Sequence, residues 1–162
     1  MTVCFTGHRP QHFSFGFDES HPDCISLKKQ LKEEIFRQIQ NGADTFFCGM
    51  AQGVDTWAAE AVLLAKEQFT YLKLIAAIPC PDQPKRWSES SIKRYNDILE
   101  KCDEKIIISP FYHGGCMHQR NRYMVDNSDV LIAVYDSSES GGTASTVSYA
   151  KKNGKAIVHL IP

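Results

Sequence analysis

Along the chain, short apolar runs alternate with longer stretches in which apolar residues recur at helical spacing. The short runs, at 2–6, 45–48, 72–78, 105–109, 130–135 and 156–161, predict six strands. Several are continuously apolar, as strands covered on both faces should be. Between the first two, Cys24, Leu27, Leu31, Ile35 and Ile39 mark one face of a helix, and Asn41-Gly42 suits a left-handed stop. A second helix is expected from 54 to about 69, with Val54, Trp57, Ala58, Ala61, Val62 and Ala65 toward the sheet. A third carries Ile92, Tyr95, Ile98, Leu99 and Cys102. Two shorter helices are expected at about 117–127 and 142–152, the latter ending at Asn153-Gly154; 8–22 and 79–87 read as loops. This alternation predicts βαβ units, and hence an α/β, three-layer Rossmann-like fold with a mostly parallel sheet.

Composition changes that picture little. The 162 residues are 43% hydrophobic and contain no repeat, low-complexity tract or linker, so residues 1–162 are expected to form a single domain. Eighteen basic and nineteen acidic side chains leave a net charge of −1. That balance, with no basic-aromatic clusters, argues against nucleic-acid and membrane partners, so any anion must be held locally. Cys4, Cys24, Cys48, Cys80, Cys102 and Cys116 are scattered, and the opening MTVCFTGHRP lacks the features of a signal peptide. Reduced thiols in a cytoplasm are expected, with Cys4 and Cys48 as small core residues. No apolar run approaches the roughly 20 residues needed to span a bilayer.

The candidate chemistry lies in three glycine-bearing turns, each after an expected strand: Thr6-Gly7-His8-Arg9-Pro10, Cys48-Gly49-Met50-Ala51-Gln52-Gly53-Val54-Asp55 and Ser140-Gly141-Gly142-Thr143. In a parallel sheet all three reach the same edge, where α/β proteins bind ligands. Glycine lets backbone N–H groups approach a phosphate at a helix start, and Thr143 and Ser145 add hydroxyls there. Gly141-Gly142 also has a plain use as a tight turn. The second turn lacks the G-x-G-x-x-G spacing of dinucleotide sites, and Asp55 serves equally as a helix-start residue or as a ribose contact. Arg9, Arg120 and Arg122 offer positive charge. Arg120 and Arg122 point in different directions on a helix, so we assign Arg120 to the crevice and leave Arg122 to solvent or to an acid such as Asp126.

Other groups are less informative. Pro10 interrupts any helix that would align His8 with His12, and His113, Cys116 and His118 match no zinc spacing, so no metal is expected. No cofactor is implied. Without a G-x-S-x-G elbow the catalytic residues stay unassigned. Trp87, Tyr112 and Tyr123 suit either base stacking or ordinary packing.

Together the three turns and Gln119-Arg120-Asn121-Arg122-Tyr123-Met124-Val125 resemble the YpsA-like branch of the SLOG superfamily, over essentially the whole chain. The resemblance implies a Rossmann-like fold and kinship with the DNA-processing protein DprA and with the LOG phosphoribohydrolases, which release a base from a nucleoside monophosphate. It implies that Gly7, Gly49, Gly53, Gly141, Gly142 and Thr143 line a pocket, with Arg9 and Arg120 as anion contacts, for a nucleotide or nucleotide-derived ligand. It also implies a homo-oligomer, since relatives often self-associate. The chain departs from the LOG pattern P-G-G-x-G-T-x-x-E: Ser140 replaces proline, Ala144 the later glycine and Ser148 the glutamate. A binding or sensor module is therefore expected, with a LOG-like N-glycosidic hydrolase as the alternative, in which Asp55 or Glu60 would supply the missing carboxylate.

Overall fold

Six strands and five α-helices alternate in the computed structural model, which describes residues 1–138 and 140–162. They are β1 (Thr2–Gly7), α1 (Pro22–Gln40), β2 (Thr45–Cys48), α2 (Val54–Lys66), β3 (Lys73–Ile78), α3 (Glu89–Lys101), β4 (Glu104–Ile107), α4 (Cys116–Asp126), β5 (Val130–Val134), α5 (Gly142–Lys152) and β6 (Ala156–Leu160). The strands form one sheet in the order β4-β3-β2-β1-β5-β6, and every pairing is parallel.

Side chains alternate along the strands between two separate cores. Val3, Phe5, Phe46, Leu74 and Ile132 join α1, α2 and α3 on one face; Cys4, Phe47, Ile75, Leu131 and Ala133 join α4 and α5 on the other. Phe5 and Phe46 are fully buried and stacked at 6.1 Å between ring centroids, each worth about 2–3 kcal/mol in buried apolar area. This two-sided covering is what the continuously apolar runs encode, and it makes the architecture a three-layer Rossmann-like sandwich. All six cysteines are free thiols, and burial pushes Cys4 up to about 12.

Helix ends follow local chemistry. Ser88 caps α3 by accepting from the Ser91 N–H at 3.2 Å, and α1 stops where Gly42 takes φ +99°. The second helix is shorter than the expected 54–69: it closes at Lys66, after which Glu67 and Gln68 donate to the carbonyls of Leu64 and Ala65, three residues back, in the turn that leads to β3.

Strand order reverses between β1 and β5, because β1 to β4 build outward in one direction and β5 starts on the other side. The loops after these two strands leave a crevice at the carboxyl edge.

Candidate functional site

A cavity of about 590 Å³ occupies that crevice. Its walls are the end of β1 with the following loop (Thr6, Gly7, His8, Arg9, His12), the start of α2 (Ala51, Asp55), α4 (Met117, His118, Arg120, Asn121) and the β5–α5 turn (Asp136, Ser138, Ser140, Gly141, Gly142, Thr143).

Three of the glycines work in different ways. Gly7 lies against Val54, where an added Cβ would come within 2.5 Å of the valine Cγ2, so glycine lets β1 end tightly against α2. Gly49 does not line the cavity. A Cβ there would fall 2.6 Å from Arg120 Nη1 and 2.7 Å from Asp55 Oδ2, so its bare Cα makes room for both side chains. Gly53 is also behind the wall: it starts α2 at φ +84°, with the His8 carbonyl 2.9 Å from where a Cβ would be.

Gly141 begins α5 at φ +102°, and among the described residues no side chain caps that helix. The first-turn N–H groups at Gly142 and Thr143 thus stand at the cavity wall with the positive end of the helix behind them. Thr143 is buried, whereas Ser145 is exposed and lines a neighbouring depression instead. That depression also takes in Ser148, the position of the LOG glutamate.

Arg120 is the most unusual residue of the wall. It is 4% exposed, its Nη1 donates to the Gly49 carbonyl and its Nε donates to Asn121 Oδ1 at 2.7 Å. Among the described residues it forms no salt bridge. Burial lowers its affinity for the proton, partly countered by the charge of Asp55. Asp55, 7% exposed, accepts from the Ala51 N–H at 3.2 Å, and burial raises its pKa against the opposing pull of Arg120, that N–H and Arg9. Arg9 is exposed at the rim.

Arg122 points away, with its guanidinium 5.3 Å from the Tyr149 ring centroid; Asp126, its expected partner, accepts from the Tyr149 hydroxyl at 2.8 Å instead. Trp87 and Tyr123 make edge contacts with Tyr95 and Phe47, and Tyr112 is exposed; none of the three lines this cavity. Glu60 is held by Arg94 and is also off the wall.

The cavity adds residues that carried no spacing signal. His8 Nε2 lies 3.0 Å from Asp136 Oδ1, tying the β1 loop to the β5 loop, and that contact holds the Asp136 carboxyl down to about 2. His12, Met117, His118 and Asn121 complete the lining. His8 is flanked by Gly7 and Arg9, both already candidates, so its position in that turn is the one hint the sequence offered. Among the described residues no cluster of three or more His, Cys, Asp or Glu is arranged to hold a metal ion, and no helix is long and apolar enough to cross a membrane.

The chain has relatives that match it over most of its length. It is 30% identical over 152 residues, 93% of its length and 80% of the relative's, to a UPF0398 protein of Halalkalibacterium halodurans. It is 29% identical over 156 residues, 94% of its length and 84% of theirs, to UPF0398 proteins of Bacillus cereus and Bacillus thuringiensis. Residues 3–160 match the YpsA profile, described as the YspA SLOG family, and the chain belongs to that family.

Proposed function

We propose that the cavity binds the phosphoryl group of a nucleotide or nucleotide-derived metabolite and that the chain acts as a binding or sensing module. The observation that carries this reading is Arg120, a buried guanidinium without a salt bridge among the described residues and with N–H groups to spare beyond Gly49, Asn121 and the Met117 Sδ, to which its Nη2 donates weakly at 3.9 Å. A buried cation in that state is costly, and an anion in the cavity relieves the cost. The uncapped start of α5 and the Arg9 side chain face the same space. A volume of about 590 Å³ suits a nucleoside monophosphate.

Titration calorimetry and thermal shift with AMP, ADP, ADP-ribose and cyclic AMP test the reading. Binding of at least one phosphorylated nucleotide, no binding of adenosine, and loss of binding in Arg120→Ala are expected. If none of the nucleotides gives heat or raises the melting temperature, the reading is abandoned.

The second reading, N-glycosidic hydrolysis, is favoured by Asp55. Ser148 supplies no carboxylate and Glu60 is engaged elsewhere, which leaves Asp55 as a buried carboxyl of raised pKa on the same wall. Free adenine released from AMP, and no release by Asp55→Asn, is the expected signature of hydrolysis. Its absence on chromatography removes this reading and leaves binding intact.

A further inference from the structure

We infer that the binding site continues past Arg9 into a second cavity, so that its ligand is two-ended: a nucleoside phosphate in the first cavity, joined through its phosphates to a second ring-bearing group. This rests on the reading of the first cavity as a phosphoryl site.

The second cavity, of about 670 Å³, shares Arg9 and Met117 with the first, so these two side chains stand between them. Each space is of the size that holds a nucleoside monophosphate. One backbone group links their walls. The Gly49 carbonyl accepts from Arg120, which lines the first cavity, and from Gln83 Nε2 at 3.2 Å, which lines the second.

The chemistry of the second cavity differs from that of the first. Phe17 is 60% exposed on its wall, and Trp87, held by an edge contact with Tyr95, lines the same space. A wall with an exposed phenylalanine and a tryptophan suits the face of a sugar or a heterocycle. Gln11 and Gln52 bring amides that match the hydroxyls or the mixed donor and acceptor edge of such a ring.

Charge is distributed to match. Arg94 lines this cavity but is already saturated by Glu19 and Glu60, whereas Arg9 and Arg86 form no salt bridge among the described residues. Free positive charge therefore stands at the junction, through Arg9, and along the second wall, through Arg86. A diphosphate bridge passing Arg9 places negative charge there and a ring beyond it. A compact sugar phosphate leaves the second cavity unused.

The test compares AMP with ADP-ribose by calorimetry on the intact chain and on Phe17→Ala, Arg86→Ala and Arg120→Ala. Phe17 and Arg86 are exposed, so their substitution does not threaten the fold. ADP-ribose is expected to bind the unsubstituted chain at least about tenfold more tightly than AMP. Phe17→Ala and Arg86→Ala are each expected to cost ADP-ribose about tenfold and AMP less than about twofold, while Arg120→Ala weakens both. Equal affinity for the two ligands, or equal losses in the Phe17 and Arg86 variants, overturns the second half of the site and leaves the first-cavity reading standing. If neither AMP nor ADP-ribose binds and the other nucleotides also fail, both readings fall together.

Discussion

Arg94 and Arg120 stand near the same edge of the sheet in opposite electrostatic states. Arg94 makes two-pronged contacts with both Glu60 and Glu19, the latter also held by Lys28 Nζ at 2.6 Å, and these bonds push its pKa up. It joins α3 to α2 and to the loop before α1, and it is about a third exposed. Arg120 is buried, bonded to a backbone carbonyl and a side-chain amide, and its proton affinity is lowered. A cation with all its partners holds a fold together. A cation buried near the Asp55 carboxylate but forming no salt bridge among the described residues is incompletely paired, and the proposed ligand anion would complete its partners.

Replacing each arginine by methionine keeps much of the side-chain volume and removes the charge. Arg120→Met is expected to weaken phosphorylated nucleotides by about a hundredfold, roughly 3 kcal/mol, in calorimetry. Its melting temperature should stay level or rise, because a buried charge that forms no salt bridge among the described residues is gone. Arg94→Met is expected to do the reverse: about 2 kcal/mol lost in urea unfolding, discounted for its partial exposure, with AMP affinity retained. A destabilised Arg120→Met with unchanged binding would reverse the assignment of the two residues.

Gly49→Ala sharpens the same point by a smaller amount. The added methyl would meet Arg120 Nη1 and Asp55 Oδ2 below 3 Å, so the guanidinium must shift. About 1–2 kcal/mol of stability and a several-fold loss of nucleotide affinity are expected, read together by urea unfolding and calorimetry.

The two arginines also mark how far the sequence could be read. The strands were legible to within a residue or two because parallel strands buried on both faces leave continuous apolar runs, as in Val130–Val134. The end of α2 was not, because Phe69 keeps the helical spacing and packs against the same core, past the point where Glu67 and Gln68 have switched to bonds three residues back. Three glycine turns could be placed on one edge, but not the division of labour among them. Whether a glycine faces a ligand or admits a neighbouring side chain depends on Arg120, seventy-one positions from Gly49 in the chain. His8 and Asp136, 128 positions apart, meet only because β1 pairs with β5, and no local pattern encodes that pairing.

The carboxylates beside the two arginines respond to pH with opposite signs. Burial alone would raise Glu19, but the hydrogen bonds from Arg94 and Lys28 outweigh it and bring the carboxyl down to about 2 from an ordinary 4.5. A lowered folded-state pKa stabilises the protein above pH 4.5, and that stability is lost as pH falls from 4.5 toward 2. Asp55 has the opposite sign. Burial raises it above 3.8, so its contribution is complete below 3.8 and is lost as pH rises through the folded-state value. Glu19→Gln should therefore be less stable than the unsubstituted chain at pH 7 by about 1 kcal/mol, screened by solvent, with the gap closing toward pH 2. Asp55→Asn, whose amide oxygen can still accept from the Ala51 N–H, should be at least as stable at pH 7 and lose any advantage below about pH 4. Urea midpoints of both variants between pH 2 and 8 measure the two slopes. If the slopes share a sign, the carboxylates sit in similar environments and the contrast between their arginines loses its electrostatic basis.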